Sequence, residues 1–371
     1  MTNTRSAKET YIDALKGIAM LGVILIHCGG NRLPGIWGEI GSLGRNGVQL
    51  FLIITGYLNW KSLDKFYINN NRTIKNYFLW IRKKIFKLLP LYYITLIVWT
   101  FKGGQSYYIA SEGHITICNF IAHLLMIHGL FPHYANSILG VEWYLGIIAI
   151  FYIVCPILHK FFPKTRDRLV LLLCSLMFSW LYIKYGCNHL PQIDDYVYRD
   201  FICVYSFPAQ FPVLILGTLL TDMSENVKAS QCKENILWGY CLSILSMIML
   251  IAQVKGKNTI FLITSDQMCA VWFLLLFFSF QYVTIPILNN KIIRMMGEYS
   301  YYIYLLHFLI ISFLSERSMK IYVGNEILNF VIYYFIIVLI SFVLAIIVRK
   351  ILNYVIGAIR NIKGHSERNL L

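Results

Sequence analysis

Apolar runs of about twenty residues recur along this chain, separated by short polar stretches. Eleven can be marked, at roughly 11–30, 44–60, 85–101, 115–132, 143–162, 168–186, 201–221, 236–254, 260–284, 298–315 and 327–356. About 20 apolar residues of helix cross a bilayer core. Helix is the conformation in which a lipid-embedded segment satisfies its own backbone hydrogen bonds. The pattern therefore predicts an all-α, polytopic transmembrane bundle. No polar stretch is long enough for a soluble domain, so residues 1–371 read as one membrane domain. Its spans run from about 11 to 356, and a short tail, 357–371, follows. The first run is long, and no small-residue cleavage site follows it, so it reads as a permanent helix rather than a cleaved leader.

Charge decides how many runs cross. The fourth, at 115–132, is the weakest, because it carries Asn119, His123 and His128. If all eleven cross, Lys and Arg divide about evenly, roughly 17 against 16. If the fourth turns back on its own side, one face holds about 24 and the other about 9. Cytoplasmic loops carry the excess of Lys and Arg, so the second arrangement is preferred. It gives about ten spans (eleven at most) in a cell membrane, with both termini cytoplasmic and 115–132 re-entrant on the outer side.

Composition sharpens the class. Hydrophobic residues make up 58% of the chain and charged residues 14%, against about 25% charged in soluble domains. The net charge of +15 would suit nucleic acid, but eight Lys/Arg fall between Lys61 and Lys87 and five between Arg349 and Arg368, flanking apolar spans. That placement points to membrane lipids and topology, not to nucleic acid. The nine cysteines are odd in number and lack metal-type spacing, and they read as small apolar fillers. His123, His128 and His133 are spaced by five, which on a helix sets neighbours about 140° apart. No metal site is expected from them.

Chemistry concentrates in the first run, YIDALKGIAMLGVILIHCGG. Lys16 and His27 are eleven residues apart, about three turns, so they share a helix face some 16 Å apart along the axis. Asp13 lies three residues before Lys16, within pairing reach. An ionisable side chain inside a span is costly and marks function. Histidine is also the natural base near neutral pH. His27 is thus the candidate base. Lys16 is either functional or a snorkelling anchor.

This segment resembles the opening motif of acyltransferase family 3, multi-span membrane acyltransferases of surface carbohydrates, in which a basic residue, ten residues and a His follow one another. Four further segments are similar to family motifs in the same order. GVQLFLIITGYL (47–58) has Thr55 where the family has Ser. In KKIFKLLPLYY (83–93), Lys84 and Lys87 take the family's basic positions. The others are WYLGIIAIFYIVCP (143–156) and GEYSYYIYLLH (297–307). Ile148 stands where many members carry Glu, which resembles the sugar O-acyltransferase branch.

The resemblance implies an enzyme that moves an acyl group, usually acetyl, from acyl-CoA to a carbohydrate hydroxyl, with no permanently bound cofactor. It implies His27 and Lys16 as catalytic residues, and Lys84 and Lys87 as donor-binding residues. Asp13, Glu142, Trp143, Tyr152 and His307 are the expected acceptor-binding or supporting residues. Two other classes stay open at this point. A lipid-linked glycan transporter or flippase would show internal repeats, which the sequence does not display. A non-catalytic membrane partner would not need a histidine at depth.

Overall fold

The computed structural model describes residues 10–105, 114–189, 196–227, 234–256, 262–316 and 325–368. Among these the regular structure is helical, with no strand. The helices are α1 (Thr10–His27), α2 (Ile36–Leu43), α3 (Gly47–Ile68), α4 (Ile74–Phe101), α5 (Ile117–Leu124), α6 (Trp143–Phe161) and α7 (Thr165–His189). They continue with α8 (Tyr196–Asp200), α9 (Phe207–Val227), α10 (Glu234–Gly256), α11 (Ser265–Tyr282), α12 (Lys291–Glu298), α13 (Ser300–Glu316) and α14 (Glu326–Arg368). A helix of 17 residues or more occupies every apolar run except the fourth. Seven helices are long and apolar enough to cross a membrane, and Ser300–Ser315 is a shorter apolar one. The protein is an all-α polytopic membrane bundle.

The fourth run does not form a helix of crossing length. α5 stops after eight residues, Met126 takes a positive φ of 56°, and a 3₁₀ turn follows at His128–Leu130. The expected 140° separation of His123 and His128 is therefore wrong, because no continuous helix joins them. Their rings instead stack at 4.4 Å. α14 stays helical past the last apolar run, to Arg368. The run at 298–315 is interrupted at Tyr299, between α12 and α13.

In lipid, helices are held together by close packing, and glycine permits the closest approach. α3 and α9 cross through Gly56 and Gly217. A β-carbon at Gly56 would lie 2.2 Å from the Leu214 carbonyl oxygen, and one at Gly217 would lie 2.2 Å from that of Ile53. α1 touches α3, α12 and α13. Its N-terminal half meets α12 so tightly that a β-carbon at Gly297 would lie 1.7 Å from the Asp13 carbonyl oxygen. Its C-terminal half packs closely too, against the turn before α3, where a β-carbon at Gly44 would lie 2.3 Å from the Gly22 carbonyl oxygen and 3.0 Å from the Ile26 nitrogen.

Candidate active site

His27 ends α1, and its ring lies 5.1 Å from that of His307 and 5.2 Å from that of Phe308, centroid to centroid. Both contacts are edge-on. His307 is fully buried on α13. Its Nδ1–H donates to the Ile303 carbonyl at 3.2 Å, one helical turn back. That bond fixes the tautomer and leaves Nε2 as a lone-pair acceptor. Nε2 itself has no hydrogen-bond partner among the described residues. An unsatisfied buried nitrogen costs about 1–3 kcal/mol, and this one sits beside the candidate base.

A cavity of about 320 Å³ opens against His27. Arg45 and Gln49 line it from the start of α3, Trp143 from the start of α6, Asp200 and Tyr205 from the segment after α8, and Asp266 from the first turn of α11. Tyr304 of α13 joins them. These residues follow or precede four different polar stretches, and all meet at the end of the bundle where α1 finishes. A crossing at 115–132 would have put Trp143 at the opposite end from His27.

Local structure explains the wall. Residues Phe201–Tyr205 form a π turn, in which the Ser206 N–H reaches the Phe201 carbonyl at 2.8 Å. Such i→i+5 turns bring residues five apart to one side and occur often at functional sites. Here Asp200 and Tyr205 are five apart, and both face the cavity. Thr264 caps α11 in a capping box with Gln267, which sets Asp266 at the positive helix end.

Glu142 does not face the cavity. It is fully buried, and its carboxylate accepts from the N–H groups of Ile138 (2.6 Å), Leu139 (3.0 Å) and Val141 (3.0 Å), with His123 Nε2 at 3.3 Å. The other His123 nitrogen lies 2.9 Å from the Asn119 carbonyl. His128 Nε2 is 3.2 Å from the Glu142 carbonyl. Gly140, at φ 82°, completes this turn in a conformation that suits glycine. The cluster is a satisfied buried network that holds the 138–142 loop, and with it Trp143, against α13, where the Tyr304 hydroxyl donates to the Val141 carbonyl.

The remaining sequence-derived candidates lie elsewhere. Lys16 pairs with Asp13 at 3.3 Å, one helix length away from the cavity. Tyr152 lies against Trp80, centroids 6.1 Å apart. Lys84 sits over the Trp80 ring at 5.0 Å, and Lys87 is exposed. Thr55 is 3.0 Å from the Tyr144 hydroxyl, and the Tyr144 ring packs on Tyr304 at 5.5 Å. Thr55 and Tyr144 thus reach Tyr304, three residues before His307 on α13, whereas Lys16, Lys84, Lys87 and Tyr152 do not line the cavity. Sequence reading missed Arg45, Gln49, Asp200, Tyr205 and Asp266. Polar residues at the ends of apolar runs are commonplace, and no spacing singled these out.

A family profile described as "Acyltransferase domain" matches residues 9–348. A Staphylococcus aureus (strain COL) protein named "Putative O-acetyltransferase" is 26% identical over 357 residues, covering 93% of this chain and 46% of the relative. Its counterpart of the same description in strain MSSA476 is 25% identical with the same coverage. The chain spans about half the length of the curated relatives it matches. No solved structure matches it. The profile takes in every motif from Asp13 to His307 in order, and the chain belongs to acyltransferase family 3.

Proposed function

We propose that the protein transfers an acyl group, acetyl in the simplest case, from acyl-CoA to a hydroxyl of a cell-surface or lipid-linked carbohydrate. The observation that carries this reading is His27, beside the unpartnered Nε2 of His307, at the wall of a polar and aromatic cavity. A sugar hydroxyl is a weak nucleophile and needs a positioned base. In this scheme His27 takes the hydroxyl proton as the oxygen attacks the thioester carbon. The new C–O bond forms, the C–S bond breaks, and the departing thiolate leaves as the free thiol once protonated. The His307 lone pair accepts a hydrogen bond from the transient His27 imidazolium. A charge formed at membrane depth is expensive without such a partner. His307 is therefore a positioning residue.

The donor approaches from the other end of α1. Its acyl-bearing arm covers the roughly 16 Å between the levels of Lys16 and His27, while Lys84 and Lys87 hold its phosphates by point charge. With both termini cytoplasmic, as the charge distribution favours, the cavity opens outward, where surface carbohydrate is found. The test is release of coenzyme A from acetyl-CoA by the purified protein in lipid nanodiscs, together with detection of acetylated glycoside by mass spectrometry. His27→Ala should abolish both. Turnover by that variant at the wild-type rate would refute His27 as the base.

A further inference from the structure

The lining of the His27 cavity goes beyond the family motifs. Charge and shape there restrict which sugar can enter. Two carboxylates, Asp200 and Asp266, come from different elements, and one guanidinium, Arg45, stands with them. Arg45 lies 3.7 Å from Asp266, and its side chain is 63% exposed, so its charge is largely answered by that carboxylate and by solvent. The lining itself holds two carboxyl groups and one guanidinium, and Arg199, next to Asp200 in the chain, acts on it electrostatically from outside the lining. Gln49 lines the same space, is 3% exposed, and its Oε1 accepts no hydrogen bond from the described residues. That oxygen is sealed from the cavity, so a ligand completes the amide only if the side chain turns toward it. Trp143 and Tyr205 form an aromatic wall, rings 5.0 Å apart and tilted by 34°.

In this set the two carboxylates accept hydrogen bonds and the Trp143 and Tyr205 rings offer apolar faces, while Arg45, the Gln49 amide nitrogen, the Trp143 indole N–H and the Tyr205 hydroxyl can donate. A sugar ring has the complementary character. Its hydroxyls donate to carboxylates, which accept at two oxygens each, and its C–H face packs on aromatic rings. A carboxylated sugar would bring a like charge against Asp200 and Asp266, which disfavours the wrong partner. The volume, about 320 Å³, is at the small end of the roughly 300–1,000 Å³ usual for ligand sites. It suits one ring at a time.

We infer that Asp200, Asp266 and Gln49, with the Trp143–Tyr205 wall, form an acceptor subsite for an uncharged sugar ring and exclude uronic and sialic acids. This rests on the acyl-transfer reading and adds the acceptor's charge class. The probes are methyl glycosides of glucose, galactose and N-acetylglucosamine, each set against the matching methyl uronoside. Two measurements run in parallel on the full chain in nanodiscs: ester formation with acetyl-CoA, and binding by saturation-transfer NMR without donor.

The wild type should favour the neutral partner at least tenfold in kcat/KM and show transfer signals for it alone. Asp200→Asn with Asp266→Asn should narrow that preference to within about threefold, and Arg45→Gln should widen it. Because the readout is a ratio between two acceptors, a general loss of activity cancels. Equal or better use of uronosides by the wild type would overturn the inference. So would a ratio unmoved by the double substitution, or coenzyme A release with no glycoside acylated. If no coenzyme A is released at all, the acyl-transfer reading fails, and the NMR ratio alone decides the subsite.

Discussion

The two ends of α1 are built on opposite principles. At the Lys16 end Lys16 pairs with Asp13 at 3.3 Å, and in the last turns of α3 and α6 His159 meets Asp64 at 2.7 Å. The buried Arg168 reaches Asp222 and the Thr218 carbonyl, with its guanidinium over Trp60 at 4.4 Å. Backbones there approach to glycine distance, as at Gly297 and Asp13. At the His27 end backbones come as close, at Gly22 and Gly44, but the helix terminus borders open space. It leaves a cavity, an imidazole nitrogen without a partner and an amide oxygen without a donor. Among the described residues, buried polar atoms without a hydrogen-bond partner occur at both ends, His159 Nδ1 and Arg168 Nε at the first and Gln49 Oε1 and His307 Nε2 at the second, so what sets the second apart is the cavity beside them. The contrast divides the helix into an anchor and a reaction end.

Substitutions at each end test that division. The largest effect is expected from His27→Ala, a fall in acyl transfer of about 10²–10⁴-fold with an unchanged thermal melting profile. A melting midpoint that drops with activity would make His27 part of the anchor. Gly297→Val should do the reverse. Its β-carbon meets the Asp13 carbonyl at 1.7 Å, so α1 and α12 must separate, at a cost of roughly 1–3 kcal/mol. The measurement is the midpoint in a detergent melt, and an unshifted midpoint would contradict the packing described.

His307→Ala comes next. Loss of the imidazolium's acceptor should lower kcat by about tenfold, on the order of 1.4 kcal/mol, with acceptor KM little changed. A change confined to KM would place His307 in acceptor binding instead. The smallest effect is expected from Lys84→Ala with Lys87→Ala, a severalfold rise in KM for acetyl-CoA that shrinks as salt rises, since exposed charge contacts are screened over about 8–10 Å. A KM difference that persists in molar salt would assign those lysines a structural part.

How much of this was legible beforehand follows from contrast. His27 and His307 stand out because each interrupts an apolar run, and Lys16 because it repeats the His27 helix face. Trp143 was found by resemblance. Asp200, Asp266 and Arg45 were hidden because each sits where a span ends and charge is ordinary. The buried network of Glu142, His123 and His128 was missed for a geometric reason. A regular helix was assumed through residues where α5 stops at Leu124 and the chain reverses at Met126. The spans were legible because bilayer thickness imposes length. The irregular segments between them, which make the cavity, obey no such constraint.

The π turn at 201–205 carries a consequence for how this enzyme can change. Relative to an α-helix it holds one extra residue, and that residue rotates whatever precedes it by about 100°. Deleting a single position there would restore α geometry, swing Asp200 away from Tyr205 and dismantle one wall of the cavity, while His27, His307 and the spans beyond Phe207 kept their places. Insertions and deletions of one residue in this segment are therefore a short mutational route between acceptors. On the proposed acyl-transfer reading, relatives that differ there by a residue should share the acyl chemistry and diverge in the acceptors they take.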